Sequence, residues 1–545
     1  MTELNYFMNS DTPDQIGLKD FMAKVPVETE YGRIMKENLD PYPLEDKETL
    51  NVLYAEIQEM IQAKEEHPGL LKELRRLLHG QKNIRKSIEN AGKQQVLSDV
   101  EFFEIKKQGL AMQRLSRHLK KHKRILFPSV KLYSVQWLTE LLDPEETGIE
   151  TFYIYDAYDS KLKALRSQKL QLQEAMIKEE KNREKQIEEI TGLKVLWNKE
   201  LHIPKENSAY RESLEALNTY VLANETKSHW VYRPLRQEKE DVLEDIRREE
   251  EVLEQKIRQW LSRCIGDKSK ELLENTYRIA HLDLLLGKVA MAITFRCCKP
   301  KISEKAEISI FSGRHTGLEE RLKKDKLSCI PVDLTAEKGV TLITGANMGG
   351  KTMSLKMTAL LLALAQMGFW VPAESFSFMP MHYIYFSTGD QQSQEKGLST
   401  FGAELEGLKK ALEVADKQGV ILLDELASGT NPKEGYGISK AIVENLSQRS
   451  AISIVTTHYD GIGEIPEVRH LQVVGLREEN LEHLKEELRE ARSVAGIFEK
   501  YMDYRLRPKE SKDPVPRDAI RVAEIMGLPE SIIKNAQTYL KEKEE

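Results

Sequence analysis

The stretch GANMGGKT, from Gly345 to Thr352, has the spacing of a loop that binds nucleotide phosphates. Its glycines let consecutive backbone N–H groups approach phosphate oxygens, and the helix that follows adds its positive end. The pattern predicts that Lys351 contacts the β- and γ-phosphates of ATP and that the Thr352 hydroxyl binds Mg²⁺. The other predicted nucleotide contacts in the loop are Gly345, Ala346, Asn347, Met348, Gly349 and Gly350.

Two carboxylates, Asp424 and Glu425, follow the apolar run from Val420 to Leu423. A buried strand that ends in this way can hold Mg²⁺ through Asp424 and can orient or activate the attacking water through Glu425. Such a pair also occurs at ordinary strand ends, and the upstream phosphate-loop pattern favours the catalytic interpretation. The sequence therefore predicts Lys351 and Glu425 as catalytic residues, and Thr352 and Asp424 as metal ligands.

A third strand-like run, AISIVTTHY, ends in Thr457 and His458. A histidine at this place can sense the γ-phosphate or position water, although a histidine at a strand end is also commonly a polar surface residue. Open α/β sheets bind ligands where the carboxyl ends of their strands meet. We therefore predict His458 as a third catalytic residue.

The elements that must position these residues alternate after about Pro300. Short β-rich runs, GVTLITG, MHYIYFSTGD, GVILLDEL and AISIVTTHY, are separated by helical stretches, as in a mostly parallel sheet. Strand-like VTLIT precedes the phosphate-loop pattern and helix-like MSLKMTALLLALA follows it, a context that disfavours a simple glycine turn. The second half of the chain is predicted to be an α/β domain.

The first 300 residues are predicted to be almost wholly helical, because apolar residues recur three and four apart, as in LYAEIQEMIQAKEE. Two charged stretches, 161–190 and 235–261, have the composition of long helices that pair along a narrow seam. The segment between them, 191–233, is predicted to form an irregular tip on this pair of helices.

Composition limits the possible partners. The chain has 545 residues, 40% hydrophobic and 31% charged, which is typical of a folded protein of several domains with long solvent-facing helices. Its net charge of -7 gives no general attraction to nucleic acid, so a DNA contact requires a local basic patch. The spacing of the four cysteines matches no zinc pattern, and neither a signal peptide nor a membrane span is predicted, which together indicate a cytoplasmic protein.

Four segments, TGANMGGKTMSLK, STFGAELE, DELASGTNPKEG and TTHY, resemble in this order the ATPase domain of the MutS DNA mismatch-repair family, which belongs to the ABC-type ATPases. The resemblance covers residues 306–540. It is closest to the second bacterial MutS branch, which is linked to suppressing recombination. Mismatch-repair members have an arginine in the segment after the paired carboxylates, where this chain has Ala427-Ser428-Gly429-Thr430.

The resemblance implies an α + α/β multidomain fold. A long all-helical lever and clamp region would precede an ABC-type P-loop ATPase domain and a C-terminal helical pair. The implied segments are lever helices at 1–125, long paired helices with the clamp-like tip at 126–300, the ATPase domain at 301–515 and a dimerisation pair at 516–545.

The resemblance also implies a homodimer with composite sites, in which Ser399 reaches the γ-phosphate held by the partner subunit. Residues 311–320 resemble the segment that leads toward the nucleotide base. Residues 517–540 resemble the helical pair that clasps the partner; taken alone they also fit an ordinary surface hairpin.

By the same resemblance the paired helices would encircle DNA, and tip side chains would contact phosphates and stack on bases. The candidates are Trp197, Lys199, His202, Lys205, Lys227, His229, Trp230 and Arg233. A solvated tip with a small aromatic core is an equally good interpretation.

Parts of the family pattern are expected to be missing: the N-terminal mismatch-recognition domain with its Phe-x-Glu wedge, and the C-terminal nuclease domain. Phe102-Phe103-Glu104 has similar letters to the wedge, but it lies in a helical run, where Phe is most simply a core residue. Residues 477–500 are predicted to form an extra charged helix without an assigned role.

Two functions remain open at this stage. The first is a homodimeric ATPase clamp on DNA, in the mismatch repair and recombination class, without direct mismatch recognition. The second is an ATPase that remodels a protein client, as in shortened MutS-like ATPases that reactivate cobalamin-dependent aminomutases. The missing wedge and nuclease and the acidic net charge favour the protein client, whereas the family favours DNA. A purely structural module is disfavoured by the intact catalytic set.

Overall fold

The computed structural model describes residues 7–235, 238–324, 326–345, 350–388, 400–427, 430–459, 461–476, 502–509, 520, 523–524 and 527–544. Its α-helices are α1 (Thr12–Gln15), α2 (Leu18–Lys24), α3 (Glu30–Glu37), α4 (Lys47–Glu66), α5 (Leu70–Leu78), α6 (Arg85–Gly92), α7 (Asp99–Lys121), α8 (Gln136–Leu142), α9 (Ser160–Thr191), α10 (Ser208–Ala216), α11 (Glu238–Asp267), α12 (Ser269–Thr294), α13 (Thr316–Lys324), α14 (Lys351–Gln366), α15 (Thr400–Val414), α16 (Pro432–Ser447) and α17 (Glu530–Glu544). Its strands are β1 (Leu201–Pro204), β2 (Tyr220–Glu225), β3 (His229–Pro234), β4 (Lys301–Ile302), β5 (Glu307–Gly313), β6 (Val332–Glu337), β7 (Gly339–Thr344), β8 (Ser375–Phe378), β9 (Ile384–Thr388), β10 (Val420–Asp424), β11 (Ile452–Thr456), β12 (Arg469–Leu476) and β13 (Met502–Pro508).

Packing divides the chain into two compact units. The first comprises Met1–Gly80, Leu119–Lys131 and Arg278–Glu545, and the second comprises Gln81–His118 and Leu132–Tyr277. The four segments expected from the sequence remain a prediction, because they divide the chain by function, whereas these units group residues by contact.

A six-stranded sheet lies in the first unit, in the order β13-β12-β7-β11-β10-β9. Five of these strands run parallel, and the edge strand β13 runs antiparallel to β12. The four β-rich runs singled out in the sequence form β7, β9, β10 and β11. The predicted α/β architecture with a mostly parallel sheet is therefore confirmed.

Alternate residues of the central strands face two separate cores. On β10, Leu422 packs in the core that contains α14, whereas Ile421 and Leu423 pack in the core that contains α15 and α16. Every residue of β10 is buried, as expected of a parallel strand covered on both faces. Most residues of α14 are buried as well, so the start of this helix is held firmly against the sheet.

A second sheet of four strands, in the order β4-β8-β5-β6, packs on the same core as α14. Strand β5 pairs antiparallel with both β6 and β8. Its alternate residues Ile308 and Ile310 join Phe376 and Phe378 of β8 in that core. The α14 helix is thus enclosed between the parallel sheet and this smaller sheet.

Buried polar contacts hold the C-terminal end of α14. The hydroxyl of Tyr54, on α4, donates a hydrogen bond to the Ala365 carbonyl at 2.6 Å. Nζ of Lys288, on α12, donates to the Met367 carbonyl at 2.9 Å and lies 4.8 Å from the centroid of the Phe369 ring. Burial lowers the pKa of Lys288 to about 7. These donors bond to carbonyl groups at the end of the helix, where intrahelical N–H partners run out.

The two longest helices of the second unit, α9 and α11, pair antiparallel, as their sequences predict. Arg166 of α9 donates to Glu250 of α11 at 3.1 Å and to Glu254 at 2.8 Å. Near the other end of the pair, Lys239 forms an ion pair with Glu179. Opposite charges along the seam therefore fix the register of the two helices.

The expectation of an all-helical first part is wrong at the tip. Between α9 and α11 the chain forms an antiparallel sheet in the order β1-β3-β2, with α10 inserted after β1. Ile203, Leu214, Tyr220 and Tyr232 lie in its small core. Alternating β-branched and aromatic residues in the run HWVYRP pair β3 with both neighbouring strands. The tip is a small folded body and not an irregular segment.

Three smaller predictions concern a phenylalanine, the cysteines and the apolar runs. Phe102 is fully buried, and its ring centroid lies 5.1 Å from that of Phe152, so it is a core residue. All four cysteines have free thiols. Within the part of the chain that the structure describes, no helix is long and apolar enough to cross a membrane.

Candidate nucleotide site

Three strand ends meet at one edge of the parallel sheet. Strand β11 lies between β7 and β10, with Thr456 beside Ile343 and Val455 beside Leu423. This register brings Thr344, Thr456 and Asp424 to the same edge, one residue from each strand. The predicted convergence of three strand ends on one edge of the sheet is therefore present.

The described part of the phosphate-loop pattern consists of Gly345 and the three residues from Gly350 to Thr352. Gly345 has φ 138° and Gly350 has φ 85°, conformations that side chains rarely adopt. A Cβ atom at Gly350 would lie 2.2 Å from Cδ1 of Tyr504, and one at Gly345 would lie 3.1 Å from Cβ of Val473. Backbone conformation favours glycine at both positions, and the space beside Tyr504 also favours it at Gly350.

Several predicted residues lie outside the described residues. They are Ala346, Asn347, Met348, Gly349, Ser399, Ser428 and Gly429, the stretch 477–500 and most of the first helix of the C-terminal pair. Their roles remain predictions from the sequence.

Lys351 is the first residue of α14 and is buried, with 3% of its surface exposed. Its Nζ donates a hydrogen bond to the Gly345 carbonyl at 2.6 Å. Burial lowers the pKa of this ammonium group, while the carboxylates of Glu425 and Asp424 act in the opposite direction. A cation that has lost most of its water is stabilised by an anion entering the loop, because the anion compensates for the lost hydration.

Asp424 accepts hydrogen bonds through both oxygens. The Thr352 hydroxyl donates to Oδ2 at 2.6 Å, and the Thr456 hydroxyl donates to Oδ1 at 2.7 Å. The two predicted metal ligands, Thr352 and Asp424, are thus in direct contact. Hydroxyl and carboxylate oxygens held together in this way are ligands that Mg²⁺ prefers.

The backbone turns sharply after Asp424. Glu425 and Ala427 have φ 50° and 56°, in the left-handed region, which costs non-glycine residues about 1 kcal/mol or more. The N–H of Glu425 donates to Oγ1 of Thr456 at 2.8 Å, and the carbonyl of Ala427 accepts from the Tyr459 hydroxyl at 3.1 Å. Such strain is concentrated at functional sites, which favours a catalytic role for Glu425.

His458 is exposed, and its ring centroid lies 4.2 Å from that of Tyr459. The preceding residue, Thr457, donates its N–H to the carbonyl of Ile343 at 3.2 Å and so draws this segment toward the strand of the phosphate loop. The position is compatible with both interpretations of His458, so its catalytic role stays a prediction.

Sequence reasoning missed two residues of this edge, Thr456 and Tyr504. Thr456 is fully buried and contacts both predicted carboxylate residues. The signal in the sequence was a second polar residue directly before Thr457, within an otherwise apolar run. Tyr504, on the antiparallel strand β13, packs against Gly350, and no local pattern indicates that contact.

Three of the four lysines and arginines predicted to grip DNA are paired with carboxylates. Residues 192–235 contain six lysines and arginines and five glutamates, which gives a net charge of only +1. The ion pairs of these three are Lys199 with Glu180 at 2.5 Å, Lys205 with Glu225 at 2.6 Å and Arg233 with Glu200 at 2.7 Å. The predicted basic surface is thus largely neutralised within the protein.

The aromatic tip residues have different surroundings. Trp197 is 95% exposed. Trp230 lies beneath the guanidinium of Arg211, 4.8 Å from its ring centroid. The rings of His202 and His229 have centroids 6.3 Å apart, and Lys227 is exposed on the same small body. Trp197 is the residue of this set most available to a partner.

Comparison with known proteins agrees with the geometry. Residues 341–544 match the family model of MutS domain V. Endonuclease MutS2 of Fusobacterium nucleatum subsp. nucleatum is 31% identical over 305 residues, which is 55% of this chain and 35% of the relative. Endonuclease MutS2 of Halothermothrix orenii is 32% identical over 302 residues, with the same shares. That of Thermomicrobium roseum is 33% identical over 295 residues, covering 52% of this chain and 35% of the relative.

The fold and the site define a mixed helical and α/β protein with polar residues gathered at the carboxyl edge of a parallel sheet. Residues 341–544 are thus similar to MutS domain V, and more than half of the chain is similar to these MutS2 proteins. It spans about a third of the length of the curated relatives it matches.

Proposed function

We propose that this protein is a Mg²⁺-dependent P-loop ATPase of the ABC type that acts as a homodimeric DNA-binding clamp, in the mismatch repair and recombination class. The observation that carries the ATPase part is the contact between Thr352 and Asp424, beside the buried Lys351. This contact joins the end of the phosphate-loop pattern to the carboxylate strand, as a site for a metal and a nucleotide requires.

The residues of the site fit both ATP and Mg²⁺. Mg²⁺ commonly takes one or two protein oxygens, with phosphate oxygens and water as its other ligands. Thr352 and Asp424 would hold it, and the bound ion would neutralise charge on the β- and γ-phosphates. Lys351 would exchange its hydrogen bond to Gly345 for phosphate oxygens. Glu425 would hold the attacking water and accept its proton.

The homodimer is supported by the described part of the C-terminal pair. Helix α17 exposes Ile532 (51%) and Tyr539 (67%), seven residues apart and therefore on one face of the helix. Leu528, in the turn before it, is also exposed. An apolar face of this kind suits a second copy of the chain, and Ser399 would then act across the interface.

The DNA-binding part rests on the similarity to MutS domain V and to the MutS2 proteins. A specific observation favours a second candidate. The neutralised tip cations offer few free charges to phosphates, whereas Trp197 offers an apolar contact. The alternative expected from the sequence is an ATPase that remodels a protein client. Such a protein would use the same nucleotide chemistry, and its tip would contact a protein instead of DNA.

Two measurements test the proposal. Binding of a fluorescent ATP analogue and release of phosphate, each with and without Mg²⁺, test the ATPase part. Affinity for duplex, branched and mismatched DNA between about 50 and 200 mM salt tests the DNA part, because binding to phosphates weakens steeply with salt. ATP hydrolysis without salt-sensitive DNA binding in any nucleotide state would favour the protein client.

A further inference from the structure

Thr456 lies at the centre of the candidate site, although it belongs neither to the phosphate-loop pattern nor to the pair of carboxylates. It is the last residue of β11 and is fully buried. Its hydroxyl donates to Oδ1 of Asp424 at 2.7 Å and accepts the N–H of Glu425 at 2.8 Å. One side chain therefore contacts both the predicted metal ligand and the predicted base.

The direction of these hydrogen bonds is fixed. A backbone N–H can only donate, so Glu425 must donate to the threonine oxygen, and the single hydroxyl proton is left for Asp424. The second oxygen of that carboxylate accepts from Thr352 at 2.6 Å. Two hydroxyl groups thus hold the carboxylate from opposite sides and set its rotation.

A buried threonine hydroxyl can instead donate to a backbone carbonyl, as that of Thr358, in the helix α14, does to Ser354. At Thr456 both partners belong to the catalytic strand end instead. One of them, Glu425, has the strained φ of 50°, and its hydrogen bond to Thr456 helps to hold that conformation. The direction in which the Glu425 side chain leaves the backbone therefore depends on this hydroxyl.

We propose that Thr456 is a positioning residue for hydrolysis, which keeps Asp424 oriented for Mg²⁺ and Glu425 oriented for the attacking water. The proposal rests on the proposed ATPase function. Groups that orient a metal ligand change metal affinity or activity by about 10- to 100-fold when they are removed. Loss of the hydroxyl should therefore raise the Mg²⁺ requirement and lower kcat, while the loop contacts to the nucleotide remain.

The experiment measures Mg²⁺ dependence in three full-length variants. Thr456→Val keeps the shape and removes both hydrogen bonds, and Thr456→Ser restores the hydroxyl. Thr358→Val is the matched control, because it removes a buried threonine hydroxyl of the same unit away from the carboxylates. The main readout is the Mg²⁺ concentration that gives half-maximal binding of a fluorescent, non-hydrolysable ATP analogue, which does not depend on turnover.

Thr456→Val should raise this concentration about tenfold or more, while Thr456→Ser and Thr358→Val stay within about threefold of the wild type. A folded Thr456→Val protein with the wild-type Mg²⁺ requirement overturns the inference. If the valine variant does not fold, Thr456→Cys, with a weak donor of similar size, should show an increase, and an unchanged value overturns the inference equally. A wild type without Mg²⁺-dependent nucleotide binding overturns the proposed function, and the inference with it.

Discussion

The hydroxyl of Thr352 donates a hydrogen bond to Oδ2 of Asp424 at 2.6 Å, across 72 positions of the sequence. Thr352 lies in the first turn of α14 and Asp424 at the end of β10, so the contact requires α14 to begin and β10 to end at the same edge of the sheet. Oriented hydroxyl and carboxylate groups of this kind need little rearrangement when ligands bind. The relationship makes the roles of the neighbouring residues testable.

Glu425→Gln should still bind Mg-ATP but hydrolyse it at least about a hundredfold more slowly, because the amide cannot accept the proton of water. Lys351→Ala should lose nucleotide binding, since the phosphates lose their buried cation. Fluorescent nucleotide binding and phosphate release separate the two effects. Glu434→Gln, at an exposed position in the first turn of α16, is the charge-matched control. Wild-type turnover in Glu425→Gln would remove Glu425 from the catalytic set.

Mixed dimers should reveal composite sites. Subunits with Ser399→Ala, mixed with subunits carrying Lys351→Ala, should form some dimers with one intact site, so ATPase activity should partly return. Mixing the Lys351→Ala subunits with a second batch of themselves is the control and should give no recovery. Absence of recovery in subunits shown to exchange would mean that Ser399 acts within its own subunit or outside the mechanism.

The ion pairs of the tip give a direct test of DNA contact. Glu200→Gln with Glu225→Gln removes the partners of Arg233 and Lys205 and raises the tip charge from +1 to +3. A tip that grips phosphates should then bind DNA more tightly. The affinity should also fall more steeply with salt, by the amount expected for up to about two additional phosphate contacts. Salt titrations of duplex binding measure this.

A matched pair of substitutions separates local from overall charge at the tip. Glu206→Gln with Glu212→Gln changes the net charge equally at two other exposed positions. An equal increase in DNA affinity for the two double variants would indicate that DNA is attracted by the overall charge of the tip. An unchanged affinity in both, or no salt-sensitive binding by the wild type, would contradict a DNA-gripping tip and direct attention to Trp197 and a protein client.

Lys288 should make the stability of the first unit depend on pH. Burial lowers its pKa to about 7, below the value of about 10.4 expected in the unfolded chain. Between these values the unfolded state binds more protons than the folded state, so stability rises with pH. The melting temperature of the wild type, relative to Lys288→Met, should therefore increase from about pH 7 to about pH 10.

Thermal unfolding at several pH values, with the wild type and variant compared at each, checks this prediction, because other titrating groups cancel in the comparison. Lys299→Met, at an exposed position shortly after α12, is the control and should show a difference that does not change with pH. If the difference in melting temperature between the wild type and Lys288→Met also stays constant with pH, the buried amine keeps its ordinary pKa.

Local patterns in the sequence determined the helices and strands that flank the site and the site residues at their ends. Buried parallel strands are continuous apolar runs, so Val420–Asp424 could be located and its terminal carboxylates assigned to an edge of the sheet. The phosphate-loop spacing located Lys351 and Thr352, and the helical period located α9 and α11. Each of these signals is carried by residues close together in the chain, which is why one sequence suffices for them.

Only the tertiary structure decided which distant residues meet. The order β7-β11-β10 places Thr456 between the loop strand and the carboxylate strand, and the position of β13 brings Tyr504 against Gly350. At the tip, the ion pair of Arg233 with Glu200 requires β1 and β3 to lie side by side, so a basic patch read from the sequence is neutralised in the fold. Strand order and cross-strand neighbours depend on the packing of the whole chain, and no local period encodes them.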